Sequence, residues 1–444
     1  MADKLTRSLQ SAAQALILIA FHQRGHGVAG WKTLLCRAGS DRGVEPSLGF
    51  VGEERMPGTG IAIIGAGMIG AAHAAGYRHH IARFAQLGAR LDTICDADEA
   101  QATKLAATYG FERTVANWQE VLEDPKIGIV SVCLPNFLHT EVTQAALRAG
   151  KHVLCEKPLA LRAQEARETW LIAREAKSVS GTVFNYRRIP AVADIARRVA
   201  AGDLGTPVQI LLQYQCDYAA DPLLPHSWRY EYNRAGPGAL LDLGTHAVDL
   251  ARFIMGDVAE VIGAAATISI PERFMPVGAT TGHGHVELSA QKAKVDNDDV
   301  MSALLRFANG AQGFMTASRV AVGTGNRVQV EIYGTKGTAR FTNELPSHFD
   351  LAVLGGEGPA PFQRMLNRPT SPYVGALAAV PHDLVPVGYA ESFGFMIHEF
   401  LSAIVEGRPF TNGSIEDGYR AAQVLDAIQT ASEINAPVTV NWKE

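Results

Sequence analysis

The chain has 444 residues, 47% apolar and 19% charged, with 40 lysines and arginines against 45 aspartates and glutamates, a formal net charge of −5. That length exceeds one typical core and predicts two domains, while the near-balanced charge, without a dense basic run, excludes the electrostatic footprint of a nucleic-acid or anionic-membrane binder. Five cysteines, Cys36, Cys95, Cys133, Cys155 and Cys216, are scattered without CxxC spacing, which argues for reduced thiols in a reducing compartment, the cytoplasm, and against a disulfide framework.

Residues 1–58 precede the first strongly patterned segment and form an N-terminal extension. Ala12 to Phe21 is apolar but too short to span a bilayer, and neither an Ala-x-Ala cleavage site nor a twin arginine accompanies it. A helix packed on the surface and a translation start at Met56 are both compatible with this stretch.

From residue 59 to 181 the apolar runs Ile61 to Ile64, Leu91 to Cys95, Ile129 to Leu134, Val153 to Cys155 and Gly181 to Phe184 alternate with helical segments. Continuous apolar strands separated by helices predict a parallel sheet covered on both faces. The first run leads straight into Gly65-Ala66-Gly67-Met68-Ile69-Gly70 and then a helix, the strand, turn and helix context of a dinucleotide-binding Rossmann unit. Gly65 permits the tight turn, Gly67 admits the pyrophosphate, Gly70 allows close helix–strand packing, and the helix N-terminus, with Met68 and Ile69, supplies unpaired N–H groups. The second strand ends in Asp96, whose carboxylate suits the ribose hydroxyls and repels a 2′-phosphate; Ala97-Asp98-Glu99 brings no cation to reverse that, so NAD is favoured over NADP. Asp96 stands 26 positions after Gly70, against about 20 in the usual spacing, which predicts an extended helix exit through Tyr77 to Leu87.

Residues 182–444 have a different texture. Val208, Ile210, Leu212, Tyr214 and Cys216 alternate with mostly polar residues, as do Val328, Val330 and Ile332, the period of a sheet covered on one face. Asn309-Gly310 predicts a hairpin turn. The Gly- and Pro-rich stretch 355–386 reads as a long loop. Phe393, Met396, Ile397, Phe400, Leu401 and Ile404 share one helical face, and Ser414 with Asp417 makes a capping box for a last helix. The fold class is therefore α/β: a doubly wound parallel Rossmann sheet, then an α+β domain with a large, mostly antiparallel open sheet.

Ligands of an open parallel sheet bind outside the carboxyl ends of its strands. Leu134-Pro135-Asn136, with His139 beyond, and Glu156-Lys157-Pro158 lie at such ends. In the second domain Asp242 and His246 are four residues apart, on one helical face. No His, Cys and carboxylate set has ligand spacing; His283 and His285 lack a third partner, so no metal is expected.

Together these segments resemble the Gfo/Idh/MocA oxidoreductases, a family named for glucose-fructose oxidoreductase and inositol dehydrogenase. The likeness runs from residue 59 to the C-terminus. It rests on the glycine turn, Asp96, Leu134-Pro135-Asn136, Glu156-Lys157-Pro158, Asn185-Tyr186-Arg187, Trp228-Arg229, the Asp242 to His246 spacing and Gly334-Thr335-Lys336-Gly337, in that order. The resemblance implies a nicotinamide-dependent enzyme acting on a sugar, polyol or sugar derivative, with Lys157, Asp242 and His246 as its catalytic set. Asn185 is expected to brace the cofactor side of the cleft, and Arg187, Trp228 and Arg229 to contact substrate or pack the domain junction; Asp249 is expected to cap or pair structurally. His246 suits the base because its ordinary pKa lies near neutrality. Lys157 would donate to the same oxygen and help keep His246 neutral, while Asp242 would orient the imidazole or share the substrate contacts. Two other readings remain at this stage: a glycosidase that retains NAD and works through transient oxidation, and a nucleotide sensor without turnover. The broad face of the second sheet predicts a homo-oligomer, a dimer or tetramer.

Overall fold

The computed structural model describes residues 59–278, 284–355, 360–383 and 387–442. The apolar stretch 12–21, Cys36, Met56 and His283 lie outside them.

Six parallel strands form the first sheet: β1 (Gly60–Ile64), β2 (Arg90–Cys95), β3 (Arg113–Val115), β4 (Ile127–Val132), β5 (His152–Cys155) and β6 (Ser180–Thr182), in the order β3-β2-β1-β4-β5-β6. Strand order reverses between β1 and β4, which opens the cofactor crevice at their carboxyl ends. Every residue of β1 and β4 is buried, because helices cover both faces: α1 (Met68–His80), α2 (Glu99–Tyr109), α3 (Trp118–Glu123), α4 (Asn136–Arg148) and α5 (Ala163–Glu175). The extra spacing before Asp96 is taken up by a 3₁₀ segment, Ile81–Leu87, closed by Gly88 at φ 58°. β3 has no apolar run of its own and is held by pairing to β2.

After α6 (Pro190–Ala200) comes a nine-stranded sheet. Its strands are β7 (Pro207–Gln215), β8 (Val258–Thr267), β11 (Val300–Phe307), β12 (Gln312–Ser318), β13 (Arg327–Gly334), β14 (Gly337–Thr342), β15 (His348–Val353), β16 (Gln363–Leu366) and β17 (Val438–Thr439); β9 (Glu272–Pro276) and β10 (Leu288–Lys294) form a separate pair. Pairing is antiparallel except between β7 and β12. Ile210, Leu212 and Tyr214 of β7, Met301, Ala303 and Leu305 of β11, and Val328, Val330 and Ile332 of β13 face one core. α6, α7 (Thr245–Met255) and α9 (Ile415–Ile434) contribute the opposing apolar residues. The Asn309-Gly310 turn joins β11 to β12, with Gly310 at φ 87° and Phe307 donating its N–H to Ala311 O at 2.9 Å. Ser414 and Asp417 cap α9 reciprocally. Within the stretch read as a loop, β16 adds an edge strand and Val374–Leu377 a helical turn; edge pairing needs little apolar pattern, so the Gly/Pro composition concealed both.

α8 (Tyr389–Glu406) belongs in sequence to the second domain, yet its Phe393, Met396, Ile397, Phe400 and Leu401 pack into the first-domain core with Ile61, Ile63, Ala74 and Tyr77. His80, 2% exposed at the end of α1, faces this helix with its Nδ1 unpartnered. Burial, helped by His79, His398 and Arg83, drives its pKa down to about 3. The unfolded chain therefore binds a proton that the folded chain refuses between about pH 6.5 and 3, and stability contributed above pH 6.5 is lost as pH falls through that window. His80→Gln is expected to flatten the decline, measured as urea midpoints across that range; an unchanged slope would remove His80 as its source.

Among the described residues no helix is long and apolar enough to cross a membrane, and no group of three or more His, Cys, Asp or Glu could hold a metal ion.

Candidate active site

The glycine turn is shaped by close approach. A Cβ on Gly65, at φ 110°, would fall 2.2 Å from Cys133 O, and one on Gly70 would fall 2.0 Å from Gly65 O, while a Cβ on Gly67 would meet nothing within 4 Å. Gly65 and Gly70 are thus fixed by backbone contact, and the space over Gly67 stays open at the start of α1, where first-turn N–H groups lack helical acceptors. Met68 is 77% exposed beside that opening; Ile69 is half-buried against the core. Asp96 Oδ2 accepts from Ala66 N at 2.7 Å and Oδ1 from Asp98 N at 2.9 Å, so its carboxylate is held beside the turn with lone pairs to spare. An open cradle of N–H donors flanked by a fixed carboxylate fits the pyrophosphate and adenosine ribose of NAD. Asp96→Ala is expected to weaken NAD binding and narrow its advantage over NADP, checked by titrating both reduced cofactors; an unchanged preference would take Asp96 out of the ribose site.

Lys157 leaves the end of β5, and Asp242 lies in a wide π turn, Leu240–Gly244, that feeds α7. The two domains meet here. Lys157 Nζ donates to Asp242 Oδ1 at 2.9 Å and to Asp242 O at 2.8 Å, and Tyr218 OH donates to Asp242 Oδ2 at 2.6 Å. Burial pushes the Asp242 carboxyl up, but the Lys157 ammonium and these hydrogen bonds outweigh it and hold the group well below the usual carboxylate range.

His246, in the first turn of α7, is 4% exposed. Its ring sits edge-on to Tyr186 at 4.8 Å and tilts against Tyr214 at 5.8 Å, and its Nδ1 is buried without a partner. Burial, then the charge of Lys157, drives its pKa well below the ordinary histidine value, with Asp242 opposing. Asp242 is engaged by Lys157 and Tyr218, and its charge acts on the imidazole against that of Lys157. Asn136, Tyr218, Trp228, Arg229, Asp242 and Arg319 line a cavity of about 50 Å³. Asn136 Nδ2 reaches Ala235 O at 3.3 Å across the domain junction, and Arg229 stacks over Trp228 at 4.5 Å.

Other residues expected at the cleft make contacts within the protein. Arg187 is 4% exposed; its Nε donates to Asp249 Oδ2 at 2.9 Å and its Nη1 to Asp417 Oδ2 at 3.2 Å. It ties Asn185–Arg188 to α7 and α9 and has no side open to a ligand. His139 places its two ring nitrogens 2.7 Å from Pro158 O and Leu134 O and so braces the two strand-end loops. Asn185 donates to Ser392 Oγ at 2.9 Å. Glu156 turns inward, receiving Lys157 N at 3.1 Å and His73 at 3.1 Å. Leu134 packs partly into the first-domain core, and Pro135 precedes α4 as its cap. Tyr218 escaped the sequence reading, although it continues the period of two through Tyr214 and Cys216.

The chain matches the family described as oxidoreductase family, NAD-binding Rossmann fold over residues 59–184, and the GFO/IDH/MocA C-terminal domain over residues 192–340. It is 34% identical over 377 residues to a levoglucosan dehydrogenase of Pseudarthrobacter phenanthrenivorans, covering 84% of this chain and 96% of that one. It is 26% identical to an inositol 2-dehydrogenase of Rhizobium meliloti, covering 82% and 94%. Among solved structures, a levoglucosan dehydrogenase in complex with NADH superposes with a TM-score of 0.79 at 33% identity, covering 86% of this chain and 99% of that one. The chain belongs to the Gfo/Idh/MocA family of NAD-binding oxidoreductases.

Proposed function

We propose that the protein is an NAD-dependent dehydrogenase for a ring hydroxyl of a cyclic sugar, polyol or anhydrosugar. The observation that carries this reading is the meeting of Lys157 and Asp242 across the domain junction at 2.9 Å, with the buried imidazole of His246 four residues further along. When bound, the nicotinamide takes up or gives back a hydride at C4. The protein's own task is to move a proton at the alcohol oxygen and stabilise charge there. His246, kept neutral by burial and by Lys157, accepts the hydroxyl proton; its Nδ1 is enclosed, which leaves Nε2 to meet the substrate. Lys157 stabilises the developing alkoxide, and Asp242, with Tyr218 on its other oxygen, holds the ammonium in place. Trp228 offers a sugar ring an apolar face, with Arg229 and Asn136 as donors at its rim.

A nucleotide sensor has no use for a neutral imidazole beside an ammonium, so the site favours turnover. The relatives named for levoglucosan and inositol make these the first probes. Purified protein is expected to reduce NAD with levoglucosan or an inositol. Release of an aglycone from a nitrophenyl glycoside without accumulation of NADH would establish the NAD-retaining glycosidase instead, and no reaction with any sugar would overturn the reading. On the open face of the nine-stranded sheet, Leu211, Leu304 and Phe314 stand in register across three strands, Leu304 being 50% exposed. This stripe is where subunits would pair, and light scattering gives the number.

A further inference from the structure

His73 takes no part in the chemistry above, yet it is wholly buried and its ring nitrogens are both engaged. It lies on α1, the helix whose first turn forms the cofactor cradle. Nδ1 is 3.0 Å from Ser131 Oγ on β4, Nε2 is 3.1 Å from Glu156 Oε1, and Tyr77 OH is 3.0 Å from the same Ser131 Oγ. Every donor finds an acceptor when Tyr77 donates to Ser131, Ser131 to His73 Nδ1, and His73 Nε2 to Glu156. Glu156 ends the chain by accepting Lys157 N at 3.1 Å on its second oxygen. Phe393 of α8 closes the other side of the imidazole, edge-on at 5.7 Å.

We propose that His73 is a positioning residue for Lys157. Through Glu156 it ties the backbone of the lysine loop to the cofactor helix, so that the ammonium is presented at a fixed place relative to the glycine turn. A buried carboxylate needs compensation, but a purely structural remedy would not require it to grip the lysine's own N–H. The inference rests on the catalytic assignment of Lys157. A displacement of about 1 Å in a reacting group costs on the order of 10²-fold in rate, which sets the scale of the expected effect.

The test uses the full chain with NAD and levoglucosan, in wild-type and Lys157→Ala backgrounds. His73→Leu is expected to lower kcat about 10- to 100-fold while the Kd for NADH changes less than about threefold; His73→Gln, which keeps a donor toward Glu156, should recover most of the loss. In the Lys157→Ala background His73→Leu should cost less than about twofold, because the effect passes through the missing ammonium. The same loss in both backgrounds, or a parallel loss of NADH binding, would overturn the proposal. Should His73→Leu not fold, Ser131→Ala, which removes the hydrogen bond to Nδ1 together with the acceptor of Tyr77, takes its place with the same two-background comparison. A second readout needs no sugar: the rate of reductive methylation of Lys157 by formaldehyde and cyanoborohydride, followed by peptide mass spectrometry. It is expected to change at least threefold in His73→Leu or Ser131→Ala and return in His73→Gln. An unchanged rate sinks the positioning role even if every sugar is refused, whereas a changed rate with no sugar turned over would overturn the substrate reading alone.

Discussion

His246→Ala is expected to lower turnover of an accepted sugar about 10²- to 10⁴-fold, and Lys157→Ala by a similar factor, with NADH binding nearly intact in both. The imidazole removes the proton, and burial with the charge of Lys157 keeps it in the base form that this requires. Full activity in either variant at saturating cofactor would end the catalytic assignment. The pH profile supplies a second check. A histidine at its ordinary pKa would lose half its base form near pH 6.5. His246 is depressed well below that by burial and by Lys157, so the base form persists as pH falls through 6.5, and the acid limb of kcat/KM should lie lower. Lys157→Ala removes the second of these causes and should move the limb upward, though not to 6.5, because burial is the larger cause.

Arg187→Ala should produce the largest loss of stability. Its guanidinium holds Asp249 with two nitrogens, one bond at 2.9 Å, away from water, and the part-buried Asp417 with the third at 3.2 Å. Burial alone would lower its pKa, but Asp249 and Asp417 hold it above the ordinary arginine value. Removing one partner of such a buried set leaves an uncompensated carboxylate and costs about 3–5 kcal/mol. Urea denaturation should show the drop, and replacing both partners, as in Arg187→Met with Asp249→Leu, should return much of it. A variant with unchanged stability and a raised KM would show instead that Arg187 serves substrate.

The first domain was readable in detail because its signals are local. Apolar strand runs, the glycine turn and the long interval before Asp96 each follow from neighbouring residues, and the 3₁₀ segment Ile81–Leu87 fills that interval. β3 and β16 were not readable, since each exists through pairing with a partner strand and carries little pattern of its own. At the site, chain position at a strand end or on a helix indicated Lys157, Asp242 and His246. Direction of a side chain is another matter. Glu156 and His139 occupy the expected strand ends but are drawn inward by acceptors and donors from other elements, His73 in one case and Leu134 and Pro158 in the other. For Arg187 the sequence left substrate contact and junction packing both open, and Asp249 and Asp417, 62 and 230 positions away, occupy its guanidinium.

The return of α8 to the nucleotide lobe has a practical corollary. A fragment ending after β6 would lack the helix that shields Ala74 and Tyr77, and would offer that greasy patch to any neighbour. Excision of the cofactor lobe at the sequence boundary should therefore give insoluble material, whereas co-expression with residues 387–442 supplied separately should rescue it. The cofactor lobe wears a garment sewn from the other's thread.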